Sequence, residues 1–540
     1  MPSSGVLSSA TGVSSLSWGN INGNVTGTGQ ATYQRPPHID PEWGFVQASS
    51  SDARYSHSHQ APLSQMSPTE SGYLDSVGPM RHRSNRAPTR PRQTKTKVAS
   101  AYIPRQQKVK VSRRSGPLED QCKAKAHKMR KTRVCVRCKM YKAGCDEGDP
   151  CQKCAKTMGS ARSFLEPCFR DSIEDMGLVR HCNGRCNQAE ADFLKYVWQE
   201  AKPIHQMEIL WFLPGKQQPI RMAQPLRLRY RPFHPDKNKP ESTMSVWKNT
   251  EEAVITFEHA PYAVFDTTAL QPDVESYFFG NLPSMERWIY SRIGRDEIAL
   301  LTYREAFRLR GNGNTLNAAL HLQCLSIMSQ GYGVVYSPGI PGIETVDFTA
   351  LGHADYEAYD RNGRDQILPA AMNHQMDVAF VKLLRRLEHD CHKLLHNKVF
   401  KPKIKPWYEL HLTFFILCWN LGYISQGATK YLQSKRGIIT PSVISQQIKK
   451  WEYTYEVILK YWRSVLRGFV PFKLARENEE ELHENGQLPD QQAFEYMRRV
   501  IEVWDRTGTD RHKPPLTGLS STLNSMENCY ISELFKIAGA

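Results

Sequence analysis

The sequence predicts a mainly α-helical chain, with one small cysteine-rich module set between a long disordered N-terminus and a large helical C-terminal region. Three observations carry this. Six cysteines fall within 34 residues, spaced Cys135-x2-Cys138-x6-Cys145-x5-Cys151-x2-Cys154-x13-Cys168. Nearly all of the net charge of +17 sits just before them: residues 81–133 hold 18 Lys or Arg against two acids, Glu119 and Asp120, and the rest of the chain is almost balanced. From about Ser276 onwards, apolar residues recur at spacings of three and four, the period of a half-buried helix.

A chain of 540 residues is too long for one ordinary core, so two to four units are expected. A hydrophobic content of 40% with a mean hydropathy of -0.54 leaves room for a substantial folded region beside much polar chain. Of the 13 cysteines, nine lie between Cys122 and Cys186. The N-terminus has no charged segment followed by an apolar core, so a secreted disulfide framework is not expected. A reducing intracellular compartment, where clustered thiols bind metal, is the expectation. The most apolar run, Leu410–Ile424, is broken by His411, Thr413 and Asn420. It is shorter than the roughly 20 residues of a membrane span, so no membrane partner is expected.

Residues 1–130 read as disordered. The first 80 are rich in Ser, Gly, Thr, Gln and Pro and show no apolar periodicity. Such chain buries too little to offset its ordering entropy. Its acidic-aromatic island Ile39–Val46 is read as chance composition. The basic arm follows, with Arg90-Pro91-Arg92 and His127–Arg133 as its densest clusters. It is read as a nuclear import signal and a phosphate-contacting arm.

Residues 131–172 form the cysteine module. A Cys-x-x-Cys turn holds two sulfurs a tetrahedral edge apart, so each pair can grip one zinc ion. Six thiolates fall two short of filling two four-coordinate sites, and two bridging sulfurs supply the deficit. In so small a module, metal binding supplies much of the folding free energy. The loop Asp146-Glu147-Gly148-Asp149-Pro150 provides turn residues between the halves.

Residues 173–275 mix proline with short β-rich runs at Met207–Leu213 and Val254–Phe257, and are expected to be linker, irregular or short β segments. Residues 276–540 are expected to form a helical regulatory domain. Thr440-Pro441 reads as a helix start. Ile444, Ile448, Trp451, Tyr455, Leu459 and Trp462 then make one apolar face. Similar faces run through Met372–Leu395, Trp407–Leu432 and Ala493–Trp504. Glu388, His392 and His396 lie opposite Leu383, Leu387 and Leu394, and are read as a solvated face rather than a metal site.

Within Arg133–Asp171, the run Cys-Val-Arg-Cys-Lys-Met-Tyr-Lys-Ala-Gly-Cys-Asp followed by Asp-Pro-Cys-Gln-Lys-Cys resembles the fungal binuclear zinc cluster (Zn2Cys6) transcription factors. The resemblance covers under a tenth of the chain. It implies two zinc ions per cluster, held by Cys135, Cys138, Cys145, Cys151, Cys154 and Cys168, with Cys135 and Cys151 bridging. It also implies a short helix entering the major groove of double-stranded DNA. Lys139 and Lys142 match the family's basic positions and, three apart, are expected on one helix face. Lys142 stands where the family's main base-reading lysine stands, usually on a CGG triplet. Arg133, Arg137 and Tyr141 complete the candidate DNA-contacting set.

Three features depart from the family pattern. Tyr141 and Gly144 hold positions that are usually basic. The 13-residue gap before Cys168 exceeds the usual six to eight, and Cys182 and Cys186 compete with Cys168 as sixth ligand.

Nothing points to an enzyme. Gly311-Asn312-Gly313 lacks the third glycine of a dinucleotide loop, and no Walker A, Gly-x-Ser-x-Gly or His-Glu-x-x-His motif occurs. The expected function is a sequence-specific, nuclear DNA-binding transcription factor. Its helical region would contact a second copy or other transcription proteins, and its arm the nuclear import machinery. The alternative is a zinc-stapled interaction scaffold with non-specific nucleic-acid binding. Residues 169–200 show no sustained heptad, so monomeric binding and pairing through the helical half both stand.

Overall fold

The computed structural model describes residues 119–156, 168–181 and 195–213, most of 220–343, then 366–400, 406–434, most of 442–507, and 533–535. The expectations for residues 1–118, with the Ile39–Val46 island and most of the basic arm, lie outside the described residues. So do those for Asn312, Gly313, Cys182, Cys186 and the Thr440-Pro441 helix start.

The described chain opens with α1 (Asp120–Thr132), which carries Asp120 in its first turn and Arg130 and Lys131 in its last. That order suits the helix dipole, and no residue of α1 is buried. Two short helices follow, α2 (Val136–Tyr141) and α3 (Gln152–Ala155). Each is N-capped by the first cysteine of a Cys-x-x-Cys pair, whose sulfur accepts from the backbone N–H of the second at 3.4 Å. The two halves of the module thus repeat one local device.

A mixed region follows. Strands β1 (His205–Leu213), β2 (Ile220–Arg221), β3 (Leu226–Pro232), β4 (Met244–Lys248), β5 (Val254–Glu258) and β6 (Tyr262–Val264) all precede the long helices. β4 and β5 pair only with each other, whereas β1 pairs antiparallel with β2 and β3, and β3 with β6. Alternation sets the faces of β3: Leu226, Leu228 and Tyr230 point into the core, and Arg227 and Arg229 out.

The helices are α4 (Thr267–Asn281), α5 (Met285–Ile293), α6 (Glu297–Leu309) and α7 (Thr315–Met328). After strand β7 (Tyr332–Ser337) come α8 (Ala370–Phe400), α9 (Trp407–Ser434), α10 (Ser442–Leu466), α11 (Pro471–Glu477), α12 (Glu479–Asn485) and α13 (Gln491–Thr507). Asp266, Asp296 and Asn314 cap α4, α6 and α7 through side-chain oxygens at 2.7 to 3.1 Å from backbone N–H groups. The mainly helical expectation holds, and the apolar faces read from Met372, Trp407, Ile444 and Ala493 onwards fall on α8, α9, α10 and α13. On α10, Ile444, Trp451, Tyr455, Leu459 and Trp462 are all buried.

The β runs read at Met207–Leu213 and Val254–Phe257 fall on β1 and β5. β1 lies in a five-stranded sheet that also takes in β7, from within the helical region, antiparallel to β1. Gly331 permits that approach: a Cβ there would stand 2.3 Å from the Phe212 carbonyl oxygen. One expectation is corrected: the polar face of α8 is not solvated, since Glu388 and His392 are buried.

What covers that face is a strap of residues 169–181, extended except for a 3-10 turn at Ile173–Asp175. Ile173, Met176, Leu178 and Val179 sink into the core shared with the helices. Leu178 N–H donates to Glu388 Oε1 at 2.6 Å, and Asn420 Nδ2 donates to the Leu178 carbonyl at 2.8 Å. Trp451 Nε1 donates to the Val179 carbonyl at 3.2 Å. His181 Nε2 lies 2.8 Å from Glu388 Oε2. Burial alone would raise the Glu388 carboxyl, but His181 and the Leu178 N–H hold it below its usual range. Among the described residues, no helix is long and apolar enough to cross a membrane.

Candidate metal centre and nucleic-acid interface

The six cysteines of the motif converge. Their sulfurs form two groups of four, each with every sulfur within 4.8 Å of the others: Cys135, Cys138, Cys145 and Cys151 in one, Cys135, Cys151, Cys154 and Cys168 in the other. The groups share Cys135 and Cys151. Cys168, the sulfur reached across the long gap, sits in the second group, and its Sγ accepts from the Cys151 N–H at 3.5 Å.

The donor set fits zinc. Zn–S bonds of about 2.3 Å in a tetrahedron place sulfurs about 3.8 Å apart. Cys135 and Cys151 are 3.8 Å apart, Cys135 and Cys154 3.7 Å, and Cys138 and Cys151 3.7 Å. Burial pushes the Cys138 thiol up to about 11 and the Cys154 thiol up to about 12. A metal ion entering here therefore displaces protons, and its affinity falls as pH falls. Bound zinc would cross-link the two halves in place of an apolar core.

Arg170 closes the module from outside. Its guanidinium donates to the carbonyls of Asp146 at 2.7 Å and Gly148 at 2.6 Å, and also to that of Arg133. It lies 3.8 Å from Cys145 Sγ. Two zinc ions with six thiolates carry a net negative charge, which a cation at this place offsets. Sequence reasoning missed Arg170, and its position two residues after the last ligand was the available signal.

The candidate DNA-contacting residues separate. α2 ends at Tyr141, and Lys142 follows in the left-handed region, at φ 52°. Lys139 and Lys142 therefore leave the common face expected of them. Lys139 turns to the helical body: its ammonium lies 2.7 Å from His396 Nε2 and 4.3 Å from the centre of the Phe400 ring. Burial, then the Lys139 charge, lowers the His396 pKa, which keeps the imidazole a neutral acceptor. Val136 and Met140, on the same side of α2, are buried in the main core. Arg133 pairs with Asp175. Arg137 is half-buried, while Tyr141 and Lys142 are exposed. The Arg467 guanidinium lies 4.7 Å from the centre of the Tyr141 ring.

Comparison with known proteins adds a separate signal on the neighbouring chain. Residues 189–534 match the family model described as KpeA transcription factor. The chain is 25% identical over 416 residues, 73% of its length, to the satratoxin biosynthesis SC3 cluster transcription factor SAT20 of Stachybotrys chartarum. It is 36% identical over 102 residues, 18% of its length, to the transcription factor kpeA of Aspergillus oryzae. The matched segments span 56% and 13% of those two proteins. No solved structure matches. The family model begins after Cys168, so it and the cysteine motif rest on different residues.

Proposed function

This chain belongs to the KpeA transcription factor family, and on that premise we propose that it is a nuclear, sequence-specific DNA-binding protein that reads CGG-like triplets through a binuclear zinc cluster. The family and the relatives are transcription factors, not enzymes. One observation supports the finer reading above the others: two four-thiol groups with zinc-like spacings share Cys135 and Cys151. That is the bridged arrangement of the cluster the motif resembles. The exposed end of α2, with Tyr141 and Lys142, is the surface offered to DNA. The basic segment ahead of it adds phosphate contacts, which position the module without specifying sequence.

Selection from random duplexes with the full zinc-loaded chain tests this. An enriched motif supports sequence-specific reading, and uniform retention supports the zinc-stapled scaffold instead. On the enriched site, Lys142→Ala should cost about 1–3 kcal/mol, and much less on random DNA, since its ammonium is assigned to guanine O6 or N7. Equal losses on both would remove Lys142 from the reading role. Zinc content should be unchanged in that variant, because Lys142 is not a ligand.

A further inference from the structure

We propose that Arg467, at the end of α10, is a DNA-contacting residue that supplies the reading head with a cation absent from its own sequence; this rests on the DNA-binding reading above. The head is poor in charge. Tyr141 stands where the resembled family is usually basic, and the Lys139 ammonium is directed onto His396 and Phe400. Arg467 fills this deficit from 326 residues downstream. It sits at φ 54°, followed by Gly468 at φ 83°, in the turn that ends α10. Its guanidinium lies against the ring of Tyr141, which is 45% exposed.

Three arginines of the module and the strap are committed. Arg133 holds Asp175, Arg170 holds three backbone carbonyls, and Arg180 holds Asp377. The Arg467 side chain has no ion pair or hydrogen bond among the described residues; its Nε is buried, so its terminal Nη groups are the donors left for a ligand. A guanidinium held 4.7 Å from the centre of an aromatic ring is already partly positioned, so its Nη donors meet a ligand at low entropic cost on binding. Beside the exposed Lys142, the group that satisfies them is a phosphate of the DNA backbone. The contact therefore adds affinity and fixes the angle of the head, and it leaves base choice to Lys142.

The test compares full-length, zinc-loaded variants on the selected site and on random duplex. Arg467→Gln keeps a long side chain at the same backbone angle and removes the charge. It should weaken both DNAs about tenfold at moderate salt, as one charged hydrogen-bonding contact does. The salt dependence should flatten by about 0.9 in log–log slope, one phosphate contact. Tyr141→Leu, which removes the platform, should give the same flattening, and Tyr141→Phe should not. This pair decides the matter should Arg467→Gln fail to fold, and zinc content with thermal unfolding shows whether it does. Unchanged affinity and slope would reduce Arg467 to a helix-end residue. Tighter binding would show that the body holds α2 away from DNA. Either result overturns the proposal while leaving the cluster reading intact. A wild-type chain that enriches no sequence would overturn the cluster reading itself.

Discussion

Replacing Cys135 by Ser should empty both positions of the proposed zinc cluster, taking bound zinc from the expected two ions per chain to none or to a loosely held remnant. The reason is topological. Cys135 belongs to both four-thiol groups, and so does Cys151. A hydroxyl in its place removes one thiolate from each site at once, and structural zinc contributes about 10–16 kcal/mol of apparent binding free energy at neutral pH. Cys145→Ser and Cys168→Ser supply the contrast, because each residue belongs to one group only. Those variants should retain one ion more firmly than the other.

Native mass spectrometry with elemental analysis of the full chain reads this directly. One zinc per wild-type chain, or two retained by Cys135→Ser, would exclude the bridged cluster. The helical signal should survive in every variant, since most of the core lies in α4 to α13 and draws nothing from the metal.

The convergence of the six cysteines was legible in the sequence because its determinants are local. A Cys-x-x-Cys turn places two sulfurs regardless of what surrounds it, and the same turn caps the helix it begins. The long helices were legible for a related reason: burial of one face imposes a period of 3.6 wherever a helix lies on a core. What stayed hidden depends on partners far away in the chain. A helical wheel shows that Glu388 and His392 share a polar stripe, but it cannot show that Leu178 and His181 lie over it. The run Ile173, Met176, Leu178, Val179 is apolar without a heptad or a helical period. It buries as an extended strap instead, a form that leaves little periodic trace. β7 joins β1 across more than a hundred residues, and nothing in Tyr332–Ser337 names its neighbour. Arg467 over Tyr141 is the extreme case, because two separately ordinary residues acquire meaning only when α10 ends beside α2.

That strap is also where the second large effect is expected. Arg180→Met should destabilise the folded chain by about 3–5 kcal/mol, the usual cost of removing one partner from a buried ion pair. Arg180 is 1% exposed and pairs with Asp377, and it also donates to Ser329 Oγ at 3.3 Å and to the Ser329 carbonyl at 3.1 Å. Met fills much of the same space, so the loss is electrostatic: the Asp377 carboxylate loses the guanidinium that faces it where little solvent replaces it. Asp377→Asn in the same chain should recover part of the loss, because it removes the carboxylate that the guanidinium had faced. A double-mutant cycle in urea measures the coupling.

The damage should concentrate in the strap, which is the covalent route from the cluster to the helical body. Limited proteolysis should therefore cut within residues 168–181 sooner than in the wild type, while zinc content is unchanged. The same variant should weaken DNA binding in the manner of Arg467→Gln, since a loosened strap no longer holds Tyr141 under the end of α10. A loss below about 1 kcal/mol, the range of an exposed pair, would mean that Arg180 is no anchor. The strap would then be held by the burial of Ile173, Met176, Leu178 and Val179 and by the backbone contacts to Glu388, Asn420 and Trp451.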